Sequence, residues 1–415
     1  MVVEIAVSGK STLQGTIEIS TSKNATLPIL IAALLSEDKI NINMVPEIND
    51  VEIVKKLLQN LGAFLVKNDN SLCIKSFVSN IYPDYDLVRQ IRASLLLMGP
   101  ILATRKIVKI SLPGGCAIGT RPIDLHLKGF EALGAKIRVS GGNVIAEARE
   151  LKGNHIYLDF PSVGATENLI MAAALAEGTT YIENAALEPE VVDLANFINS
   201  MGGRIHAAGS NLIKIEGQKK LHGSTYTPIP DRIEAGTYMV AAAATGGDLL
   251  IKNVIPEHLK ATTAKLVESG ARVDEMDHEI RVQRTGPVRP IYIKTLPYPG
   301  FPTDMQAQFM AYLSHTAGSS VITESVFENR FMHTQELMRM GANIKIEGRT
   351  AIIKGVPQLS AAHVKATDLR AGAALLIAGL MSEGTTHISN SHHIDRGYEN
   401  IVDKLNQVGA NIYRN

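Results

Sequence analysis

The chain is 415 residues long, enough to bury at least two large cores, and it carries 41 basic and 41 acidic side chains. That balance excludes the overall basic footprint of a nucleic-acid binder. Two cysteines exclude a disulfide framework and suit a reducing compartment, and apolar runs such as residues 27–35 are too short to span a bilayer.

In chain order, residues 1–8 show no basic segment or cleavage site of a secretory leader, so a cytoplasmic protein without a membrane partner is expected. Gly9-Lys10-Ser11-Thr12 mimics the end of a P-loop. Glu4 stands where its first glycine belongs, however, and the flanks read as a strand and a turn. Residues 25–35 predict a helix apolar on every side, which belongs in an interior. Ile53, Val54, Leu57, Leu58 and Leu61 predict an amphipathic helix, closed by Leu61-Gly62-Ala63. Residues 71–75 alternate as a strand, which gives Cys73 a packing role. Residues 94–103 predict a second helix apolar nearly all round.

Next comes Pro113-Gly114-Gly115-Cys116-Ala117-Ile118-Gly119-Thr120-Arg121-Pro122. Its glycines make a pliable loop, and Pro122 suits the first position of a following helix. A thiol near a helix N-terminus and a guanidinium loses its proton more readily than a free one. An isolated cysteine is more often a small buried hydrophobe, but these neighbours favour a reactive Cys116 on a mobile lid over an anion site.

The helix-closing signal then returns as Leu133-Gly134-Ala135, Met201-Gly202-Gly203, Ser269-Gly270-Ala271, Met340-Gly341-Ala342 and Val408-Gly409-Ala410. A spacing of about 70 residues makes each copy a small α/β unit. All-apolar helices over residues 168–176, 235–244, 305–313 and 369–381 bring that class to six. Strands over residues 142–147 and 342–347 largely alternate, so one sheet face meets water. The chemistry-bearing residues Lys23-Asn24, Arg92, Ser162-Val163-Gly164, Asp231-Arg232, Asp304 and Asp368–Arg370 recur where the buried helices begin. Each taken singly is a helix cap or a solvated charge. Their recurrence argues instead for converging helix N-termini, an amide-rich floor that favours phosphate. No H-x-x-x-H pair stands beside a third plausible ligand, so no zinc site is expected, and His392-His393 reads as polar loop.

Ser22-Lys23-Asn24-Ala25, Arg92-Ala93-Ser94, the cysteine loop through Leu125, Pro161-Ser162-Val163-Gly164-Ala165-Thr166, Phe301-Pro302-Thr303-Asp304, Phe327-Glu328-Asn329-Arg330-Phe331, Ala366-Thr367-Asp368-Leu369-Arg370 and His393-Ile394-Asp395-Arg396-Gly397-Tyr398 resemble the bacterial UDP-N-acetylglucosamine 1-carboxyvinyltransferases. The resemblance runs end to end in nearly the same register. It implies an α/β fold of two inside-out α/β barrel domains, each of three repeated units with buried helices and outer mixed sheets. One domain would be residues 22–229, the other residues 1–21 with 230–415, and the active site would lie in the cleft between them.

The resemblance further implies transfer of the enolpyruvyl group of phosphoenolpyruvate to the 3′-hydroxyl of UDP-N-acetylglucosamine, releasing phosphate, as the first committed step of peptidoglycan synthesis. No metal, organic cofactor or obligate protein partner is implied. Cys116 would be the acid that protonates the methylene carbon, able also to attach to phosphoenolpyruvate, and Asp304 the base at the hydroxyl. Lys23, Arg121, Arg330, Arg370 and Arg396 would meet the phosphate and carboxylate. Asn24, Arg92, Pro122, Ile123, Asp124, Leu125, Ser162, Val163, Gly164 and Val326 match positions that hold the UDP-sugar, and Asp368 would bind the intermediate or support its ligands. Phe160 stands where some members carry lysine. The sister transferases acting on shikimate 3-phosphate share the six-unit fold but lack this cysteine loop. A nucleotide-sugar sensor without activity would be expected to lose Cys116 or Asp304, and both are present.

Overall fold

Gly62, Gly134, Gly202, Gly270, Gly341 and Gly409 all adopt positive φ, from 90° to 106°. Each lies one residue past the cap of an outer helix, the first being Asn49–Asn60 and the last Ile401–Gln407. At the first, Gly62 N–H bonds to Gln59 O at 3.0 Å and Ala63 N–H to Leu58 O at 2.9 Å, so two otherwise orphaned helix carbonyls are satisfied. A Cβ at Gly62 would lie 2.5 Å from Phe77 O, which adds a steric reason to the conformational one.

This computed structural model describes residues 4–112 and 123–415. They form two compact units, residues 21–112 with 123–229 and residues 4–20 with 230–415. Thr21 thus belongs with the first, one residue earlier than the resemblance implies. Its hydroxyl bonds to Met44 O, and the next residue bonds through its N–H to Ile229 O at 2.7 Å. Ser20 is tied to the second unit, by Asp231 N–H to its carbonyl and by its own N–H to Glu234 Oε2, both 2.9 Å.

One pattern repeats. Strand Tyr292–Lys294 leads through the buried helix Gln306–Leu313 to Ser319–Thr323, which lies parallel to it. An outer helix, Thr334–Arg339, then leads to the hairpin Asn343–Glu347 and Thr350–Lys354, whose second strand pairs antiparallel with Ser319–Thr323. Five sheets have this four-stranded mixed order, and the sixth has three strands among the described residues. The sheets remain separate, so no hydrogen-bonded cylinder closes among the described residues. Three strands arrive from elsewhere in the chain. Ile5–Ser8 pairs with Thr385–Ser389 and Asn411–Arg414, Gln14–Glu18 with Asp248–Lys252, and Thr225–Tyr226 with Ile40–Asn43.

The buried helices of the first unit include Lys23–Ala32, Met98–Arg105 and Val163–Ala173. Gly99 is needed where two of them touch, because a Cβ there would meet Asn168 O at 2.5 Å. The closeness lets Asn168 Oδ1 accept from Gly99 N–H at 2.7 Å while its Nδ2 donates to Leu95 O at 3.0 Å, so this buried amide is satisfied. In the second unit Arg232–Thr245, Gln306–Leu313 and Leu369–Met381 pack on one another. Gln308 Nε2 donates to Thr237 Oγ1 at 3.1 Å and Arg370 Nη2 to Asp304 Oδ2 at 2.9 Å. N-terminal halves meet N-terminal halves. The three helices therefore run parallel, with their positive ends at one place.

Candidate active site

Asp304 sits in the short turn Thr303–Met305 that leads into Gln306–Leu313. It is not a cap, since neither helical segment has a side-chain cap bond. Its carboxylate is instead clasped by two guanidiniums. Arg330 Nη2 donates to Oδ1 at 2.6 Å and Arg370 Nη2 to Oδ2 at 2.9 Å. Both arginine side chains are nearly inaccessible, at 7% and 5%, while Asp304 keeps 27% exposure. Burial alone would raise the carboxyl's pKa, but Arg370 and Arg330 together hold it well below the usual carboxylate range. Asp304 is therefore ionised, accessible and positioned from both sides.

The clasp is itself supported. Arg330 Nη1 donates to Thr303 Oγ1 at 2.8 Å, and that hydroxyl donates to Glu324 Oε2 at 2.8 Å. The buried Glu324 also accepts from Thr295 Oγ1 at 2.7 Å and from the Val326 and Phe327 N–H groups at 2.9 and 3.2 Å. It thus fixes the segment that carries Val326 and the Phe327 ring beneath Arg330, 5.3 Å away. Arg370 lies 5.4 Å from the Tyr398 ring centroid, and Tyr398 hydrogen-bonds Thr237 at 2.9 Å. Gln308 Nε2 holds the Asp304 carbonyl at 2.9 Å.

Asp368 plays the part of a helix cap, its Oδ1 accepting from Arg370 and Ala371 N–H at 2.9 and 3.0 Å. A carboxylate there suits the positive end of Leu369–Met381. The neighbouring His333 is buried, which pushes its pKa down to about 4 against the opposing pull of Asp368. Arg396 ends the turn Ser391–Arg396 and is half-buried; both it and Asp368 act electrostatically on His393.

In the other unit Ser22 caps Lys23–Ala32 and Ser162 caps Val163–Ala173, each accepting at 3.3 Å. Lys23, Asn24, Val163 and Gly164 consequently occupy first turns. Lys23 Nζ lies 3.0 Å from Asp50, which is almost wholly buried. Arg92 opens the turn Arg92–Leu97 that leads into Met98–Arg105. Ile123 precedes helix Asp124–Ala132, Leu125 is half-buried, and Asp124 points to solvent. His126 joins these segments. Its Nδ1 lies 3.0 Å from Asn168 Nδ2, its ring flanks Gly164, and burial together with Arg92 lowers its pKa to about 3. A neutral ring accepting at Nδ1 fits both facts. Cys116, Arg121 and Pro122 lie outside the described residues.

The structure therefore brings Asp304, Arg330, Arg370 and Asp368 together in one unit, and Arg92, Gly164 and the helix around Leu125 in the other. The sequence reading missed Glu324, His333, Gln308 and Tyr398 as supports, and His126 with Asn168. Only a buried polar residue within an apolar helix, as at Gln308 and Asn168, offered a signal. Such residues need a specific partner.

Comparisons with known proteins bear on the family and the fold. A family model described as EPSP synthase (3-phosphoshikimate 1-carboxyvinyltransferase) matches residues 7–405. The chain is 55% identical over 414 residues, covering 100% of both chains, to UDP-N-acetylglucosamine 1-carboxyvinyltransferase 1 of Caldanaerobacter subterraneus subsp. tengcongensis. It is also 55% identical, with 99% of each chain covered, to UDP-N-acetylglucosamine 1-carboxyvinyltransferase 2 of Carboxydothermus hydrogenoformans. Among solved structures, the enolpyruvyl transferase NikO from Streptomyces tendae superposes with a TM-score of 0.89 at 25% identity, covering 100% of this chain and 99% of that one. EPSP synthase from Acinetobacter baumannii gives 0.78 at 18% identity, covering 100% of each, which speaks for the fold.

Proposed function

The chain belongs to the UDP-N-acetylglucosamine 1-carboxyvinyltransferase family, and we propose that it transfers the enolpyruvyl group of phosphoenolpyruvate to the 3′-hydroxyl of UDP-N-acetylglucosamine, releasing phosphate, in peptidoglycan synthesis. The single observation that carries the reading is the Asp304 carboxylate held between Arg330 and Arg370 at converging helix N-termini. Phosphoenolpyruvate is compact and densely anionic, and guanidinium forks match its phosphate and carboxylate. Arg330, Arg370 and Arg396, with Lys23 and Arg121, supply the cations. Asn24, Arg92, Ser162, Val163, Gly164, Val326 and residues 122–125 hold the UDP-sugar, and Asp368 sets the first turn that carries Arg370.

The reaction is an addition followed by an elimination. The sugar oxygen bonds to C2 of phosphoenolpyruvate as its proton passes to Asp304, and C3 gains a proton from the Cys116 thiol. The tetrahedral intermediate then loses a proton from C3 to the thiolate left on Cys116 while the bond from C2 to the phosphate oxygen breaks, and the departing phosphate takes the proton held by Asp304. An aspartate gripped by two arginines is a weak base, so the grip must loosen for the first step. An arriving dianion that draws donors from Arg330 and Arg370 does this, and it raises the basicity of Asp304 as the reactants assemble. Base activation is thereby linked to occupancy. Two cysteines in the chain and the charged, membrane-impermeant character of both reactants support a cytoplasmic setting.

The shikimate 3-phosphate reading is disfavoured by 55% identity to transferases named for the nucleotide sugar against 18% to a shikimate-pathway structure. Incubation with phosphoenolpyruvate and each acceptor in turn, followed by mass spectrometry, tests the choice. The enolpyruvyl ether should form on UDP-N-acetylglucosamine. Formation on shikimate 3-phosphate instead would reverse the assignment.

A further inference from the structure

The outer face of the sheet built on Ile5–Ser8 carries a side-chain cluster that the transferase chemistry does not use. His363 and His387 are directly paired residues on the parallel strands His363–Lys365 and Thr385–Ser389. Ala6 pairs with His387 across the antiparallel neighbour, so Glu4, two residues earlier, lies on that same face. Core residues Ile5, Val364 and Ile388 alternate with them and point inward. Ala6, which shares that face, carries only a methyl group and is wholly buried. Glu4 Oε1 lies 2.7 Å from His387 Nδ1, and the two imidazoles stack at 4.5 Å with planes 12° apart. One potential ligand atom from each of Glu4, His363 and His387 falls within 4.8 Å of the others.

We propose that Glu4, His363 and His387 form a binding site for a divalent transition-metal ion, with zinc as the best match. Two imidazoles and a carboxylate are the donor set that borderline ions take, and three protein ligands leave a position for water. In a tetrahedral set, ligands about 2.1 Å from one ion lie about 3.4 Å from one another. Ligand atoms spread up to 4.8 Å must therefore close by more than an ångström, which rotation of the exposed His363 provides. Glu4 is positioned from behind, its carbonyl accepting from Asn415 N–H at 3.0 Å. The ion would cross-link the beginning of the chain to two strands near its end and would take no part in the transfer reaction. Ligands this far apart in sequence escape any search by spacing, which is why the histidine pattern alone argued against zinc.

The alternative is a plain Glu4–His387 hydrogen bond beside a stacked ring, and His363→Ala separates the two because it leaves that bond intact. Titration of the full chain with Zn²⁺ by calorimetry should show one equivalent in the wild type that weakens at least roughly tenfold in His363→Ala. The same ion should raise the wild-type melting temperature more than the variant's, since a ligand bound only to the folded state stabilises it. Zinc held elsewhere, on the cysteine thiols for example, would appear equally in both proteins. Identical stoichiometry, affinity and thermal shift in wild type and His363→Ala would overturn the proposal. So would the lack of any zinc binding at millimolar metal.

Discussion

Arg370 and Asp304 are 66 positions apart, yet a 2.9 Å bond joins the first turn of one buried helix to the turn that begins another. The same carboxylate takes a second bond from Arg330, so one aspartate registers the relative placement of three segments. A residue that only capped a helix would need one N–H partner and no arginine.

Replacing Asp304 with asparagine keeps the shape and removes the charge. Turnover should fall by roughly 10²–10⁴, the usual worth of a positioned acid or base. UDP-N-acetylglucosamine affinity should stay within a few-fold, because the amide still hydrogen-bonds a hydroxyl. Steady-state kinetics with a parallel binding titration decides it. Near-normal turnover in a folded Asp304→Asn protein would show that the carboxylate is structural.

Arg330→Lys retains a positive charge but loses the fork that reaches both Thr303 and Asp304. Phosphoenolpyruvate should bind more weakly by about 1.5–3 kcal/mol, the worth of a bond to a charged group. The nucleotide sugar should be affected much less. Equal losses for both ligands would argue that Arg330 only holds the fold together.

Cys116 should be the thiol alkylated by fosfomycin, an epoxide phosphonate that resembles phosphoenolpyruvate, and UDP-N-acetylglucosamine should accelerate the reaction. The other cysteine, Cys73, is half-buried in strand Ser71–Lys75. Peptide mapping after treatment should find the label on residue 116. A label on Cys73 alone would remove Cys116 from the mechanism.

His126 predicts a pH effect on stability. Burial, reinforced by Arg92, holds its folded-state pKa at about 3, while an unfolded histidine titrates near 6.5. Below about pH 6.5 the unfolded chain takes up a proton that the folded one refuses. The stabilisation is thus complete above that value and is lost toward pH 3, at about 1.4 kcal/mol per unit. Between about pH 7.5 and about pH 5, His126→Gln should lose about 2 kcal/mol less than the wild type in urea unfolding. Parallel losses would mean that the imidazole is solvated.

Much of the fold was legible because its repeats are written in backbone requirements. Six helix-ending glycines need positive φ, and each takes it. The apolar helices were legible too, but their beginnings were less so. Residues 168–176 mark the expected helix where Val163–Ala173 forms, because the buried polar residues Thr166 and Glu167 interrupt the apolar signal. Those polar first turns are what gathers at the candidate site. The clasp of Asp304 was not legible, since nothing local in the sequence says which arginines meet it. Nor was the Asn168–His126 bond, which depends on the close approach permitted at Gly99.

The most direct measurement of the central claim is phosphate release by the purified chain with phosphoenolpyruvate and UDP-N-acetylglucosamine, each omitted in turn. Phosphate should appear only when both are present, in equal amount to the enolpyruvyl ether, and should drop to near background with Asp304→Asn. Release from phosphoenolpyruvate alone at the same rate, or none with both substrates present, would contradict the account.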